Sequence, residues 1–382
     1  MGFHEFSSPY DWSRIAAYKR TAKAAFGGMI DLSVGSPVDP VPDSVRKALA
    51  VAANDPNAYG YPATAGTADL RAAIAEWFSA TRNVDLQAIH ADVVPTVGSK
   101  EGVALMASLL HFGEDDVVVQ PKVSYPTYEI GTQLAGAQVL KVDDVADVAS
   151  WRNVPGVKAV WVNSPCNPTG EVYSAERMAG IVAAAREIGA VVLSDECYAL
   201  MQWRGATNSA DDDPLQSTPC ALRSDACAGS AEGVLVLYSL SKQSNMAGYR
   251  TAFIAGDESL IASMSAYRKQ IGQIIPGPVQ AAMAAGLRDL ESVKVQHARY
   301  RERLGVLVSA LRAYGYCTDM PDGALYVWVR AKSGDCWTDM EQLAKIGIIA
   351  SPGEFYGAPE CLRFSATASD EAIASAAERL AR

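Results

Sequence analysis

The sequence of 382 residues holds only four histidines (His4, His90, His111 and His297) and seven cysteines, none paired in CxxC spacing. A zinc site needs clustered soft ligands, so this pattern predicts no metal centre. Cys166, Cys197, Cys220, Cys227, Cys317, Cys336 and Cys361 are scattered and odd in number. They read as reduced thiols in a reducing compartment, not as a disulfide framework. Positive charge is in the minority: 33 Lys+Arg against 43 Asp+Glu gives −10. An acidic chain without basic runs excludes nucleic acid and an anionic membrane surface as expected partners. No apolar stretch approaches the ~20 residues that a membrane helix needs. The opening MGFHEFSSPYDW carries His4, Glu5 and Asp11 where a signal peptide would have an apolar run, so a cytoplasmic location is expected. No internal repeat is visible.

What is present is ample core material. Hydrophobic residues make up 49%, and the length allows two or three domains at roughly 150 residues each. Helical periodicity marks 43–53, 67–82, 99–110 and 175–188. In 67–82, Leu70, Ile74, Trp77 and Phe78 share one face. Continuous apolar runs lie between the helical stretches at 117–120 (VVVQ), 159–162 (AVWV), 190–193 (AVVL), 234–237 (VLVL) and 252–255 (AFIA). Such runs mark strands buried on both faces. The alternation predicts an α/β fold: a three-layer α/β/α large domain over 41–272 with a mainly parallel sheet. After about Ile271 the pattern changes. Pro276, Gly277 and Pro278 break the chain, a charged helix spans 287–314, a strand covers 323–329 and a helix starts at Asp370. A smaller α+β domain is expected from 1–40 and 273–382. Residues 204–232, rich in Ser, Asp and Ala, read as a surface loop.

Chemistry concentrates just after the apolar runs, where open α/β sheets bind ligands. YSLSKQSNMAGYR (238–250) follows VLVL. A lysine beyond a buried strand loses solvation, which favours the neutral, nucleophilic amine. Ser239, Ser241 and Arg250 are phosphate-binding types. A nucleophilic lysine, Lys242, beside a phosphate cradle suggests pyridoxal phosphate. SDECY (194–198) follows AVVL, so Asp195 could hold a pyridinium N–H and Tyr198 could reach the phenolic oxygen of the ring. NSPCNPTG (163–170) follows AVWV and offers Asn167. GSKEG (98–102) opens a helix whose first N–H groups, with Ser99 and Lys100, can hold an anion. SYPTY (124–128) offers Tyr125 for stacking on the ring. Each reading has a plainer counterpart: a solvated loop lysine, a helix-capping aspartate, a rigid turn, a surface Lys100, a core tyrosine.

Taken in order, GSK, SYPTY, NSPCNPTG, SDECY, SLSK and LRFS (362–365) resemble the fold-type-I, class I/II pyridoxal-phosphate aminotransferases over nearly the whole chain. The resemblance implies that Lys242 is the Schiff-base lysine and that Asp195 pairs with the pyridine nitrogen. It implies that Asn167 and Tyr198 contact O3′ and that Tyr125 stacks on the ring. Ser99, Lys100, Ser239, Ser241 and Arg250 would hold the phosphate. Arg363 would clamp a substrate carboxylate near the Gly35 backbone, with Asn167 also facing substrate. Tyr61 matches a tyrosine that family members offer to the neighbouring subunit's phosphate, which implies a homodimer with shared active sites. The substrates would be amino acids and 2-oxo acids. VGSPVDPVP, YPATAGTADLRAAIAEW, SLSKQSNMAGYR and PGEFYG are similar to the actinobacterial N-succinyldiaminopimelate aminotransferases of lysine and diaminopimelate synthesis. The alternatives are another class I/II aminotransferase, a carbon–sulfur β-lyase on the same cofactor, and a non-catalytic binding or regulatory relative. Arg14, Lys19, Arg20 and Arg268 are candidates for the distal end of the substrate only because an anionic group there wants a cation.

Overall fold

The computed structural model describes residues 11–203, 215 and 218–382. Among these residues, the backbone packing divides a larger unit, within 36–301 and 321–324, from a smaller one, within 11–35, 302–320 and 325–382.

The larger unit is built on a seven-stranded sheet. Its strands are β1 (Ala91–Val97), β2 (Val117–Pro121), β3 (Gln138–Val142), β4 (Val157–Asn163), β5 (Val191–Asp195), β6 (Val234–Ser239) and β7 (Thr251–Asp257). In space they run β1-β7-β6-β5-β4-β2-β3. Six strands point one way, and β7 alone runs antiparallel to both its neighbours. The apolar runs explain the layering, because side chains alternate across the pleat. Val160, Val162, Val192, Val234, Val236 and Phe253 join one core with Trp77 and Phe78. Ala159, Trp161, Leu193, Leu235, Leu237 and Ile254 join the other with Met106, Leu109 and Tyr128. Both faces are therefore covered by helices, as the three-layer reading requires.

The boundary at 272/273 moves. Helix Gly277–Arg288 packs on helices Asp43–Ala53 and Ala68–Trp77 and buries Gln280, Ala282, Met283, Ala284 and Leu287. The Gln280 side chain donates to the carbonyls of Ala63 (3.0 Å) and Ile275 (2.9 Å) and accepts from Thr67 N (2.8 Å). Residues up to Arg301 thus belong to the larger unit. Pro276-Gly277-Pro278 is a helix start with proline in the first turn, where the missing N–H costs nothing. The single charged helix expected at 287–314 is two pieces, divided at Asp289, whose carboxylate accepts from Ser292 N at 3.1 Å.

The 204–232 segment is also corrected in part. Residues 204–214, 216 and 217 lie outside the described residues. Beyond them, Cys220, Ala221, Leu222, Ala226, Cys227 and Ala231 are buried, and a short helix, Ser224–Cys227, lies against Ala175–Glu187. Small apolar residues between the polar ones supply that packing.

The smaller unit holds an antiparallel sheet of β8 (Tyr326–Arg330), β9 (Ser351–Pro352) and β10 (Cys361–Ser365), with β10 central. Ile30–Asp31 pairs in parallel with Ile348–Ile349. Helices Ile15–Ala24, Cys336–Lys345 and Asp370–Leu380 complete it. Among the described residues no helix is long and apolar enough to cross a membrane, and no group of His, Cys, Asp and Glu could hold a metal ion.

Candidate active site

The C-terminal edge of the seven-stranded sheet collects the chemistry. β1 ends at Val97 before Gly98, Ser99 and Lys100, and β4 ends at Asn163 before Asn167. β5 ends at Asp195 itself, before Tyr198, and β6 ends at Ser239 before Ser241 and Lys242. Because β7 is reversed, its first residue lies on the same edge, and Arg250 immediately precedes it. The register places Asp195 between Asn163 and Leu237, Ser239 beside Ala252, and Val97 beside Thr251.

Asp195 is buried, and each of its carboxylate oxygens accepts a hydrogen bond. Tyr128 Oη donates to Oδ2 at 2.8 Å, and Cys197 N donates to Oδ1 at 3.1 Å. Burial raises its pKa, and these hydrogen bonds oppose the rise. Tyr128 is itself stacked on Trp161, centroids 4.5 Å apart, and meets Tyr125 edge-on at 5.7 Å. Asn163 Nδ2 donates to the Asp195 carbonyl at 2.9 Å, and its Oδ1 accepts from Asn167 N at 2.8 Å. One asparagine thus ties the NSPCNPTG turn to the Asp195 strand. Both Asn167 and Tyr198 are buried.

The other half of the edge is rich in donors. Ser239 Oγ donates to Ser241 Oγ at 2.8 Å and accepts from Ser241 N at 3.1 Å. Ser99 opens the helix Ser99–Leu109, and both Ser99 and Lys242 favour the charged form of the Cys197 thiol. Burial pushes that thiol well above its usual range and Cys166 up to about 11, so both stay neutral and unreactive. Gly98 has φ +80°, and a β-carbon built there would overlap the Arg250 guanidinium. Arg250 donates to the Ala247 carbonyl at 2.8 Å. Lys242 is half-buried; Lys100 is exposed on the first turn of its helix, and Tyr61 is fully exposed.

Gly35 and Arg363 lie in the smaller unit and meet through one ring. The buried Arg363 guanidinium sits 3.9 Å from the centroid of Tyr326 and 4.8 Å from that of Tyr356, and donates to the Ser33 carbonyl at 2.8 Å. A β-carbon at Gly35 would overlap the Tyr326 hydroxyl.

Three of the four cations considered for the distal end of the substrate are engaged within the chain. Arg14 pairs with Glu354 (2.6 Å), Lys19 with Asp31 (2.8 Å) and the buried Arg268 with Glu101 (2.9 Å). Sequence reasoning missed Tyr128, Asn163, Tyr326 and Tyr356. Tyr128 stood inside the quoted SYPTY motif, one helical turn after Tyr125, and that spacing was the available signal.

A buried carboxylate that accepts hydrogen bonds, a lysine, and a guanidinium-and-hydroxyl cradle kept open by a glycine fit the pyridine nitrogen, the aldehyde and the phosphate of pyridoxal phosphate. Residues 27–380 match the family described as aminotransferase class I and II, and the chain belongs to that family, whose enzymes depend on pyridoxal phosphate. It is 40% identical over 373 residues to the 4-dedimethylamino-4-oxo-anhydrotetracycline transaminase of Streptomyces rimosus, covering 97% of this chain and 98% of the relative. It is 39% identical over 377 residues to a probable aminotransferase of Mycobacterium tuberculosis, covering 97% and 84%. A solved structure described as a probable N-succinyldiaminopimelate aminotransferase from Thermus thermophilus superposes with TM-score 0.83 at 27% identity, covering 97% of this chain and 99% of that one.

Proposed function

We propose that this aminotransferase moves an amino group between N-succinyl-LL-2,6-diaminopimelate and the 2-oxoglutarate/glutamate pair. The observation that carries the reading is the run of SLSKQSNMAGYR and PGEFYG motifs on a chain that also resembles the Thermus thermophilus protein along almost its full length. The bound cofactor supplies an electron sink for the carbanion that forms when the substrate α-proton leaves. Lys242 is the residue that holds the cofactor at rest and, once released, carries a proton to and from the substrate α-carbon. Asp195 keeps the ring nitrogen protonated, since a carboxylate in a buried site gains from a cationic partner. Asn167 and Tyr198 hold the ring oxygen, and Tyr125 covers a ring face. Ser99, Lys100, Ser239, Ser241 and Arg250 hold the phosphate through hydroxyl, backbone and guanidinium donors. Arg363 takes the α-carboxylate beside Gly35. Tyr61 reaches the site of a second copy in a homodimer, and the enzyme works in the cytoplasm.

A second reading is favoured by the 40% identity to the Streptomyces transaminase, which points to a ring ketone as the amino acceptor. A spectrophotometric panel separates the two. N-succinyl-diaminopimelate, aspartate, alanine, aromatic amino acids and glutamate are each offered with 2-oxoglutarate, and glutamate is offered with a polycyclic ketone. The proposal expects the highest kcat/KM with N-succinyl-diaminopimelate. A preference of tenfold or more for any other donor, for the polycyclic ketone, or release of ammonia and pyruvate without a keto acid, overturns it.

A further inference from the structure

Asp195 is followed directly by a second buried carboxylate, Glu196, whose negative charge raises the proton affinity of Asp195. Arg82 answers the second one. It closes a turn of π-helix, Phe78–Arg82, that continues the helix Ala68–Trp77. Arg82 Nη2 lies 2.9 Å from Glu196 Oε2, with both side chains essentially without solvent contact. Glu196 Oε1 accepts from Ser194 Oγ (3.0 Å) and Ala221 N (2.8 Å). The guanidinium also donates to the Pro219 carbonyl at 2.8 Å and to the Thr218 hydroxyl, which in turn donates to the carbonyl of Ala199. One ion pair therefore ties together the end of a helix, the turn that carries Asp195 and Tyr198, and the stretch 218–221.

Stability alone is a poor reason for such a pair, because well-packed apolar residues usually serve at least as well. We propose that Arg82 and Glu196 are positioning residues: they fix the turn bearing Asp195 and Tyr198, and Arg82 cancels the charge of Glu196 so that it adds no net charge beside Asp195. This rests on the reading of Asp195 as the partner of the pyridine nitrogen. The titratable neighbours of Asp195 are Tyr128, Cys166, Cys197 and Glu196, with Lys242 near Cys197. Cys220 and Tyr238 face the ion pair. Burial raises the pKa of each of these thiols and phenols, so they stay neutral around pH 7. The charges in play are Asp195, Glu196, Arg82 and Lys242. π-Turns recur at functional sites, which suits a residue that must be aimed.

The test is a charge cycle: Arg82→Met, Glu196→Gln and the double variant. Two quantities are read: the pH midpoint of the visible-absorbance change of the cofactor-loaded protein, and the Kd of the apo-protein for pyridoxal phosphate. Arg82→Met leaves an extra negative charge that holds a nearby proton more tightly, so the midpoint moves up. Glu196→Gln leaves an extra positive charge, so it moves down. Each shift is on the order of one pH unit, as for unit charges several ångströms apart at an effective dielectric near 20. The double variant returns towards wild type in midpoint and in Kd. A role in folding alone predicts a lower Tm with both single variants moving the same way, and that result, or no shift in either, overturns the proposal. If Arg82→Met does not accumulate as folded protein, Glu196→Gln decides: a downward shift supports the proposal and an upward or absent one overturns it. Asp195→Asn is measured in parallel. An unchanged midpoint and Kd there would overturn the Asp195 reading itself, which a failed cycle with a responsive Asp195→Asn would leave standing.

Discussion

Tyr128 Oη donates a 2.8 Å hydrogen bond to Asp195 Oδ2. The two residues are 67 apart in sequence, Tyr128 on the helix Thr127–Leu134 and Asp195 at the end of β5. Burial, the negative Asp195 and this hydrogen bond hold the phenol well above its usual pKa, so it remains a donor throughout the working range. Its removal leaves a buried carboxylate oxygen short of one donor. Tyr128→Phe is therefore expected to weaken pyridoxal phosphate binding and to lower kcat/KM by roughly tenfold, the equivalent of one buried charge-assisted hydrogen bond. Trp161 still supports the ring, so the Tm should change little. A titration of the apo-protein beside steady-state kinetics measures both.

In the proposed function Lys242 attaches the cofactor and Asp195 activates it, so two variants separate these roles. Lys242→Ala should abolish turnover and the visible absorbance of the lysine-linked cofactor. Asp195→Ala should keep part of the cofactor but lose several orders of magnitude in rate, because the ring nitrogen loses its counter-charge. Substantial turnover by the first variant or a near-normal rate in the second would contradict the assigned roles.

Gly98→Ala tests the phosphate cradle. The φ of +80° strains any side chain there, and the new methyl displaces the Arg250 guanidinium. The backbone cost is about 1–2 kcal/mol. The expected result is a Kd for pyridoxal phosphate raised at least tenfold, with a smaller fall in Tm; equilibrium titration reads the first and calorimetry the second.

Gly35→Ala acts on Arg363 through Tyr326, whose hydroxyl occupies the space of the new methyl. Arg363→Ala and Gly35→Ala should both raise KM for the amino donor and for the keto acid, since each substrate carries an α-carboxylate. An effect on one substrate only would argue that Arg363 reads something else.

His297 gives a pH prediction. Burial holds its pKa below 6.5. The ring packs on Trp203, centroids 4.5 Å apart, with Nε2 3.3 Å from the Gln202 carbonyl oxygen. A depressed folded-state pKa means that the unfolded chain binds the proton more readily. The neutral ring's contribution is present above pH 6.5 and is lost as pH falls through the folded value. His297→Phe should flatten the fall of Tm below pH 6.5, as measured by thermal unfolding across that range.

Much of this fold was legible because its central strands are continuous apolar runs. Two strands of the seven-stranded sheet escaped for physical reasons. Gln138–Val142 is an edge strand with Gln138 and Lys141 in solvent, so no apolar run marks it. Ala91–Val97 carries Pro95, which argues against a strand until its edge position is known. The domain boundary was misplaced because Pro276 and Pro278 look alike whether they end a domain or start a helix. The candidate site residues that follow a strand could be placed at its end from order alone. Tyr128, Tyr326 and Tyr356 could not be read this way, since what they do depends on which ring another segment places beside them.

The reversed strand β7 has a consequence for how the site tolerates change. Ser239 ends β6, and Ser241, Lys242 and Arg250 sit on the connection from it to β7, its neighbouring antiparallel strand. The amine, the guanidinium and the two hydroxyls therefore form one cassette, clamped at both ends by the same ladder. A residue inserted or deleted within it would dislocate the amine and the guanidinium together, whereas the strand interiors can vary in apolar shape without either being displaced.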